Sequence, residues 1–394
     1  MSEHGPLISS VGGGEQPQLP LTRLPGAPYE RGQCYGRHCA KTQAARLAAS
    51  LVQMRQMRAG LDRHGRAVLA RVRATVRATA SELASEMEGM ADGAELPVED
   101  VMDLNARNAW TCEVTFDAAA DEPSCTAVLI GNDGDPVLFK TLDDAVSADV
   151  DSAGWQTKID SMLADVTLAC YTSITGAETQ FYRQFPLFLG GDIGANHHGL
   201  VIGQTSLHPG LLPVPSDGLP HVLVPPLLVE RCRNVADVRR ELESIRLLAP
   251  KGYTINVADA GGEYASFDCT TYGCLEVAPR KGVVFATNHL RHPDFLALPA
   301  QRRRPFPTPG YESNSRRRYA LLEALLDESP EDDWAWWRLR LLSNGAREIL
   351  IQPGQATCEG FITIWAAVLR PRERAWTMTV GVPDNLSFAK YRVA

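Results

Sequence analysis

The sequence predicts an α+β protein in which a helical N-terminal part precedes a strand-rich remainder. Residues 35–90 contain no proline, and their apolar residues recur every three or four positions, the period of long amphipathic helices. After Pro123, short apolar runs bounded by turn residues are typical of strands. Helical patterns then return between the predicted strands.

The helical part is divided by glycine and proline. Gly60 and Gly65 bracket a break between two helices, and Pro97 begins another over Val98–Asn108, because proline is tolerated in a first helical turn. The first strands form a hairpin, Thr126–Ile130 and Val137–Thr141, around a glycine-rich turn. Further strands are predicted at Gly199–Thr205, Gly252–Ala258, Gly282–Ala286, Gly360–Leu369 and Trp376–Val380, and helices at Ala236–Leu248, Arg316–Leu326 and Asp333–Leu342.

Composition excludes several classes of protein. The 394 residues permit one large domain or two ordinary ones, and the net charge of −8 argues against a nucleic-acid-binding protein. No apolar run approaches the roughly 18 residues of a membrane helix. Residues 1–20 are polar and rich in glycine and proline, so we predict a flexible leader rather than a signal peptide, and a cytoplasmic protein.

The nine cysteines show no C-x-x-C spacing, which argues against a zinc ribbon or a thioredoxin-type site. His289 and His292 lack a nearby carboxylate or cysteine ligand set, so no metal site is predicted. Most cysteines of such a chain are small buried hydrophobic residues. A catalytic cysteine must therefore be identified by its surroundings.

Cys125 is at the beginning of a predicted strand, directly after the irregular segment Asp121-Glu122-Pro123-Ser124. If the Ser124–Cys125 bond were cut, Cys125 would carry a free α-amine with an ordinary pKa near 7.7. This amine can act as the general base for its own thiol, so no histidine is required. The thiol itself could make the cut by attacking the Ser124 carbonyl.

Several segments, in order, resemble one known family. They are Gly26-Ala27-Pro28-Tyr29-Glu30-Arg31-Gly32, Leu104-Asn105-Ala106-Arg107, Cys125-Thr126, Asp143, Asn196-His197-His198-Gly199-Leu200, Asn256-Val257-Ala258-Asp259, Thr287-Asn288-His289, Ser315-Arg316 and Gly381-Val382-Pro383. This series resembles the acyl-coenzyme A:6-aminopenicillanic-acid acyltransferases, within the N-terminal-nucleophile hydrolase superfamily.

The resemblance implies an αββα four-layer sandwich. It also implies self-cleavage into residues 1–124 and 125–394, which stay associated as one domain, 21–124 being the helical part. Cys125 would be the nucleophile, Asn288 would donate to the oxyanion, and Asp143 would hold the amine or position the substrate. Arg316 is assigned to catalysis, and Thr126, His289 and Ser315 to substrate binding. No cofactor is required, although acyl-coenzyme A is a possible co-substrate.

Some positions depart from the family pattern. Ser124 replaces the usual glycine before the nucleophile, Thr141-Leu142-Asp143 replaces Asn-Trp-Asp, and Pro225-Pro226 is found where an arginine often occurs. Alternatives therefore stay open. Arg318 competes with Arg316 because Ser315-x-x-Arg318 also fits. Asp143 could instead cap a strand end or bond a loop, and Asn288 could be a turn residue that bonds local backbone.

The expected function is hydrolysis of a linear amide of a small metabolite through a Cys125 acyl-enzyme. Acyl transfer from a thioester or amide to an amine is the close alternative. An unprocessed binding protein of the same fold is a third, and a cysteine hydrolase with a histidine base is a fourth.

Overall fold

The computed structural model describes residues 19–115, 124–145, 166–207, 218–248, 252–302, 309–329, 332–341, 361–380 and 389–393, with isolated positions at 157, 160, 161, 163, 164 and 211. The predicted leader therefore lies almost wholly outside the described residues. Within them, no helix combines the length and the apolar character needed to cross a bilayer.

Most of the described strands belong to two sheets. The strands are Leu21–Arg23 (β1), Ser124–Ile130 (β2), Val137–Ala145 (β3), Thr167–Thr172 (β4), Glu178–Arg183 (β5), Ile193–Asn196 (β6), Val201–Leu207 (β7), Leu219–Pro220 (β8), Leu247–Leu248 (β9), Gly252–Ala258 (β10), Tyr264–Thr270 (β11), Gly273–Glu276 (β12), Val283–Ala286 (β13), Phe361–Arg370 (β14), Ala375–Val380 (β15) and Ala389–Arg392 (β16). One sheet has the order β1-β4-β5-β6-β7-β10-β11-β12 and the other β13-β2-β3-β14-β15-β16, while β8 and β9 form a separate pair. Both sheets are antiparallel except for the parallel β1–β4 pair.

The helices precede, separate and follow these strands. They are Pro28–Thr42 (α1), Ala44–Ala59 (α2), Arg63–Thr79 (α3), Ser81–Gly93 (α4), Val98–Thr115 (α5), Val224–Arg231 (α6), Val235–Ser244 (α7), Pro293–Leu296 (α8), Pro309–Glu328 (α9) and Trp334–Leu341 (α10). Asp62 caps α3 by accepting a hydrogen bond from the Gly65 amide, which explains the predicted break after Gly60.

Three buried clusters arrange these elements in four layers. The inner faces of the two sheets meet in one cluster, where Leu129 and Leu138 pack with Ile193 and Val201. A second cluster joins α1–α7 to the outer face of the eight-stranded sheet. A third joins α9 and α10 to the outer face of the six-stranded sheet. The αββα prediction is therefore confirmed.

Local signals explain where the predicted elements end. The first hairpin forms as predicted, with Cys125 opposite Leu142. The strand predicted from Gly199 begins at Val201, because Gly199 lies in a turn with φ of +86°. The helix predicted over Ala236–Leu248 ends at Ser244, because Leu247 and Leu248 pair with β8 instead.

Close packing of α1 on α4 depends on glycines in both helices. A Cβ atom added to Gly32 would lie 2.0 Å from the Glu86 carbonyl oxygen, and one added to Gly89 would lie 1.9 Å from the Tyr29 carbonyl oxygen. Only glycine permits backbones this close. The Gly32 position in the opening family-like segment therefore has a packing explanation.

We expect Gly89→Ala to force α1 and α4 apart and to lower the free energy of unfolding by at least about 2 kcal/mol, the usual scale of overpacking. Gly60→Ala is the matched control, because its added Cβ meets nothing closer than 3.5 Å and its φ is −76°. That control should stay within about 1 kcal/mol of the wild type. Urea unfolding measures both, and equal stabilities of the two variants would contradict the packing argument.

Candidate active site

Strand β2 presents two chemically different faces at its beginning. Ser124 lies opposite Asp143 and Cys125 opposite Leu142 on β3, and both Ser124 and Cys125 are buried. Side chains of a strand alternate between its faces. Cys125 belongs to the cluster between the sheets, whereas Ser124 and Thr126 face the layer that contains α9.

Arg318 of α9 is fully buried beneath the start of β2. Its guanidinium donates to the Cys125 carbonyl oxygen at 2.6 Å, to Thr126 Oγ1 at 2.6 Å and to Asn288 Oδ1 at 2.7 Å. It also donates to the Ser124 hydroxyl and to Asn314 Oδ1. One cation thus holds both residues of the predicted cleavage bond.

Asn288 has its amide oxygen, not its amide N–H group, directed at Cys125. Its Oδ1 accepts from the Cys125 backbone N–H at 3.1 Å and from the Ser124 hydroxyl at 3.0 Å. Its Nδ2 group donates to the Ser206 carbonyl oxygen at 2.8 Å. Because the groups that converge on Oδ1 are donors, the orientation of the amide is fixed. In this arrangement the Asn288 amide oxygen contacts the Cys125 nitrogen, and one Nδ2 hydrogen is bound to Ser206, so the oxyanion role implied by the family resemblance stays a prediction for the second Nδ2 hydrogen.

Ser315 and His289 lie behind Asn288. The Ser315 hydroxyl accepts from the Asn288 backbone N–H at 2.8 Å, contacts His289 Nδ1 at 2.8 Å and donates to Thr287 Oγ1 at 3.0 Å. Burial, together with Arg316 and Arg291, lowers the pKa of His289 to about 4. A neutral His289 therefore supports the turn around Asn288 at neutral pH. Among the residues that the structure describes, the His289 ring contacts Thr287, Ser315 and Tyr319 but not Cys125.

Asp143 is connected to β2 through threonine hydroxyls. Its carboxylate accepts from Thr363 Oγ1 at 2.6 Å and from Thr141 Oγ1 at 3.2 Å, and Thr141 Oγ1 in turn accepts from the Thr126 backbone N–H at 3.1 Å. Burial raises the pKa of Asp143, although the positive charge of Arg318 opposes this shift. The carboxyl group is thus on the α9 side of β2 and β3.

The thiol of Cys125 shares the opposite face with a buried lysine that sequence reasoning missed. Lys140 is fully buried, and its ammonium donates to the Thr141 carbonyl oxygen at 2.5 Å and lies 3.8 Å from Asp192. The Trp365 ring lies 5.1 Å from the same ammonium. Burial raises the pKa of the Cys125 thiol to about 11, although Lys140 acts in the opposite direction. The signal for Lys140 was a charge directly after the apolar run Val137-Leu138-Phe139, two residues before Leu142, which lies opposite Cys125.

Arg316 does not join this cluster. Its side chain is 57% exposed and pairs with Glu312 one turn earlier on α9. Residues two apart on a helix point in nearly opposite directions, whereas residues three apart share a face. Ser315 and Arg318 therefore share the face of α9 that contacts the Asn288 turn, and the alternative spacing Ser315-x-x-Arg318 is the one that the structure places in the site.

Other family-like motifs hold the fold rather than the site. Asn196 donates to the Val229 and Cys232 carbonyl oxygens at the end of α6. Asp259 accepts from the backbone N–H groups of Gly261, Glu263 and Val235. Asn105 joins α5 to the segment around Leu187 and Leu189. Gly381-Val382-Pro383 lies outside the described residues, and among those that are described no group of three potential ligands could hold a metal ion.

We expect Arg318→Met to slow any reaction that depends on Cys125 by at least about 100-fold, because several buried acceptors lose their charged donor. Arg316→Met is the matched control and should stay within about twofold of the wild type, because Arg316 is exposed. The rate of reaction of Cys125 with an amide substrate measures the effect. If Arg316→Met were the more damaging change, our placement of the site on the Arg318 face of α9 would be wrong.

Comparison with solved structures finds similar chains at low sequence identity. A mutant of the conjugated bile acid hydrolase from Clostridium perfringens is similar over 68% of this chain and 92% of that chain, with 10% identity and a TM-score of 0.44. Penicillin V acylase from Agrobacterium tumefaciens is similar over 65% of this chain and 82% of that chain, with 11% identity and a TM-score of 0.37. A search of curated proteins found no match.

A family model gives the assignment. The model described as acyl-coenzyme A:6-aminopenicillanic acid acyl-transferase matches residues 166–385, more than half of the chain. The matched range contains Asn288, His289, Ser315 and Arg318, and begins after Cys125 and Asp143. The chain therefore belongs to this acyltransferase family.

Proposed function

We propose that the protein is a self-processing cysteine amidohydrolase in which Cys125 becomes the N-terminal nucleophile. The observation that carries the proposal is the double anchoring of Cys125. Its backbone nitrogen contacts Asn288 Oδ1, and its side chain shares one face of the β2–β3 pair with Lys140, which lies opposite Ala127 and acts on the thiol electrostatically. The nitrogen that would become the general base and the sulfur that would become the nucleophile therefore each have a partner.

Processing would begin with attack of the Cys125 thiol on the Ser124 carbonyl carbon. The C–N bond breaks, the nitrogen takes up a proton, and the resulting thioester is hydrolysed to give the Ser124 carboxylate and free Cys125. Ser124 departs from the usual glycine, yet its side chain is buried and hydrogen-bonded to Asn288 and Arg318. These contacts support a role in orienting the bond that is cut.

In turnover, the freed α-amine would accept the thiol proton while sulfur attacks the substrate carbonyl carbon. The amine, with an ordinary pKa near 7.7, has the basicity for this step near neutral pH. It would return the proton to the departing amine of the substrate, and water would then release the acyl group from Cys125. Asn288 Oδ1 would accept a hydrogen bond from the α-amine and keep its lone pair directed at the thiol.

Lys140 would stabilise the thiolate as it forms. A buried ammonium favours a neighbouring negative charge strongly, because little water screens the pair. The Asp192 carboxylate at 3.8 Å balances the lysine charge without a close ion pair, so the ammonium keeps its donors for other partners. Arg318 would hold the Cys125 carbonyl and keep the start of β2 in place.

The proposed substrate is a linear amide of a small metabolite. Transfer of the acyl group to an amine, with acyl-coenzyme A as a possible donor, is the alternative that family membership favours. Hydrolysis and transfer share every step up to the acyl-enzyme. They differ only in whether water or an amine takes the acyl group.

We expect the purified wild type to consist of two polypeptides, residues 1–124 and 125–394, that remain together. Cys125→Ala should remain a single chain of full mass, because no nucleophile is left. Intact mass spectrometry identifies the cut, and size-exclusion chromatography shows whether the two products co-elute. An active wild type that stays one continuous chain would exclude the free amine as base and favour a conventional cysteine hydrolase, and an inactive uncut wild type would favour the binding protein.

We expect Lys140→Met to raise the pH at which Cys125 becomes reactive, because the thiolate loses its neighbouring positive charge. Alkylation of Cys125 by iodoacetamide, followed across neutral and alkaline pH by peptide mass spectrometry, measures this shift. Lys281→Met is the matched control, because Lys281 binds the Leu326 carbonyl at the end of α9. A Lys140→Met profile that coincides with the wild type would remove Lys140 from the mechanism.

A further inference from the structure

The edge hairpin of the eight-stranded sheet holds a second pair of sulfur atoms, apart from Cys125. Strands β11 and β12 are joined by a two-residue turn, and Cys269 lies directly opposite Cys274. Both cysteines have free thiols, and both pack against the same buried cluster. In the described strands, the other cysteines face different residues, since Cys125 is opposite Leu142 and Cys170 is opposite Gln180.

The geometry of this pair fits a disulfide. Directly opposed residues of antiparallel strands have Cα and Cβ atoms roughly 4.5–5.5 Å apart. Disulfides join Cα atoms about 4.4–6.8 Å apart and Cβ atoms about 3.5–4.5 Å apart. The Cα separation is already in the disulfide range, and the Cβ atoms must approach by up to about 1 Å, which requires a small backbone movement of the edge hairpin but no change of register.

The two sulfurs differ in accessibility. Cys269 is fully buried and packs in the cluster beneath α1–α7, whereas Cys274 is half-buried at the sheet edge. Burial and the contact with Cys274 raise the pKa of Cys269 well above its ordinary value. A thiol reagent from solvent would thus meet Cys274 first, and Cys269 is placed to react second.

We propose that Cys269 and Cys274 form a reversible cross-strand disulfide by exchange with a low-molecular-weight disulfide such as oxidised glutathione. The Cys274 thiolate attacks one sulfur of the reagent and releases one thiol. Cys269 then attacks Cys274 Sγ, loses its proton and releases the second thiol. Two protein thiols are oxidised by two electrons and one reagent disulfide is reduced to two thiols, so the exchange balances.

The bond would lock a hairpin that supports the turn around Asn288. Asp268, next to Cys269, accepts from the backbone N–H groups of Arg291 and His292 and pairs with the Arg291 guanidinium at 2.7 Å. The disulfide preserves the register that sets Asp268 opposite Leu275. Oxidation should therefore leave the site arranged as it is, and turnover should change by less than about twofold.

The test is differential alkylation of the full protein before and after incubation with oxidised glutathione. We expect a mass decrease of about 2 Da that dithiothreitol reverses, and a peptide in which Cys269 is linked to Cys274. Cys274→Ser should abolish the decrease. Cys34→Ser, which changes another half-buried cysteine on α1, should not.

The alkylation of the wild-type protein tests the proposal by itself, so the test does not depend on whether a variant folds. Free Cys269 and Cys274 after oxidation, or a glutathione adduct on Cys274 that does not close, would overturn the proposal. A loss of turnover on oxidation that Cys274→Ser does not prevent would place the sensitive thiol elsewhere, at Cys125 first of all.

Discussion

Burial of the Arg318 guanidinium is the constraint on which the arrangement around Cys125 depends. Removing such a cation from water costs several kcal/mol unless it is fully hydrogen-bonded. Its Nε group donates to Asn314, one terminal nitrogen to Cys125 and Thr126, and the other to Ser124 and Asn288. These five bonds account for all five N–H donors of the group. The positions of β2, α9 and the Asn288 turn are therefore fixed together, because moving one would leave a buried donor unpaired.

The side chains of β2 alternate between two faces, and the two faces have different roles. Residues facing α9 carry hydroxyl, amide and carboxyl groups that hold the backbone, and Asp143 provides a nearby negative charge for Arg318. The other face directs the thiol between the sheets, where Lys140 is its cationic neighbour. Backbone anchoring and the proposed activation of sulfur thus depend on different residues. A change on one face can impair the first without removing the second.

Periodicity predicted the central hairpin and the long helices, because each of these elements buries one or both faces in a regular pattern. It missed α6, whose Val224-Pro225-Pro226 start resembles a loop, although proline is compatible with a first helical turn. It also missed β4 and β5, whose tyrosines, threonines and charged ends give no clean alternation. Arg183 at the end of β5 is fully buried in an ion pair, which no hydropathy pattern indicates.

The site was predictable in part. The order of the family-like motifs assigned Cys125, Asn288 and Ser315 to one site, because their spacing resembles that of a known family. The choice between Arg316 and Arg318 depends on which face of α9 is turned toward the six-stranded sheet. That rotation is set by the apolar residues of α9, such as Leu322 and Leu326, that pack against the sheet. The role of the Asn288 amide needed the position of its partners in space. Side-chain orientation of that kind is a product of tertiary packing.

If the proposed self-cleavage occurs, the two products must stay together without the Ser124–Cys125 bond. Arg31 and Glu86 of the helical segment form a buried network with Arg183 and Glu230 from beyond Cys125, with a contact of 3.1 Å between Arg31 and Glu230. Although burial alone would raise it, Arg183 and Arg31 lower the pKa of Glu86, whereas burial raises the pKa of Glu230 despite its contact with Arg31. Separating the segments would expose apolar surface and leave these buried charges without partners, both of which are costly. The fold is thus already suited to cleavage at Ser124–Cys125, because the contacts that unite its layers do not pass through that bond.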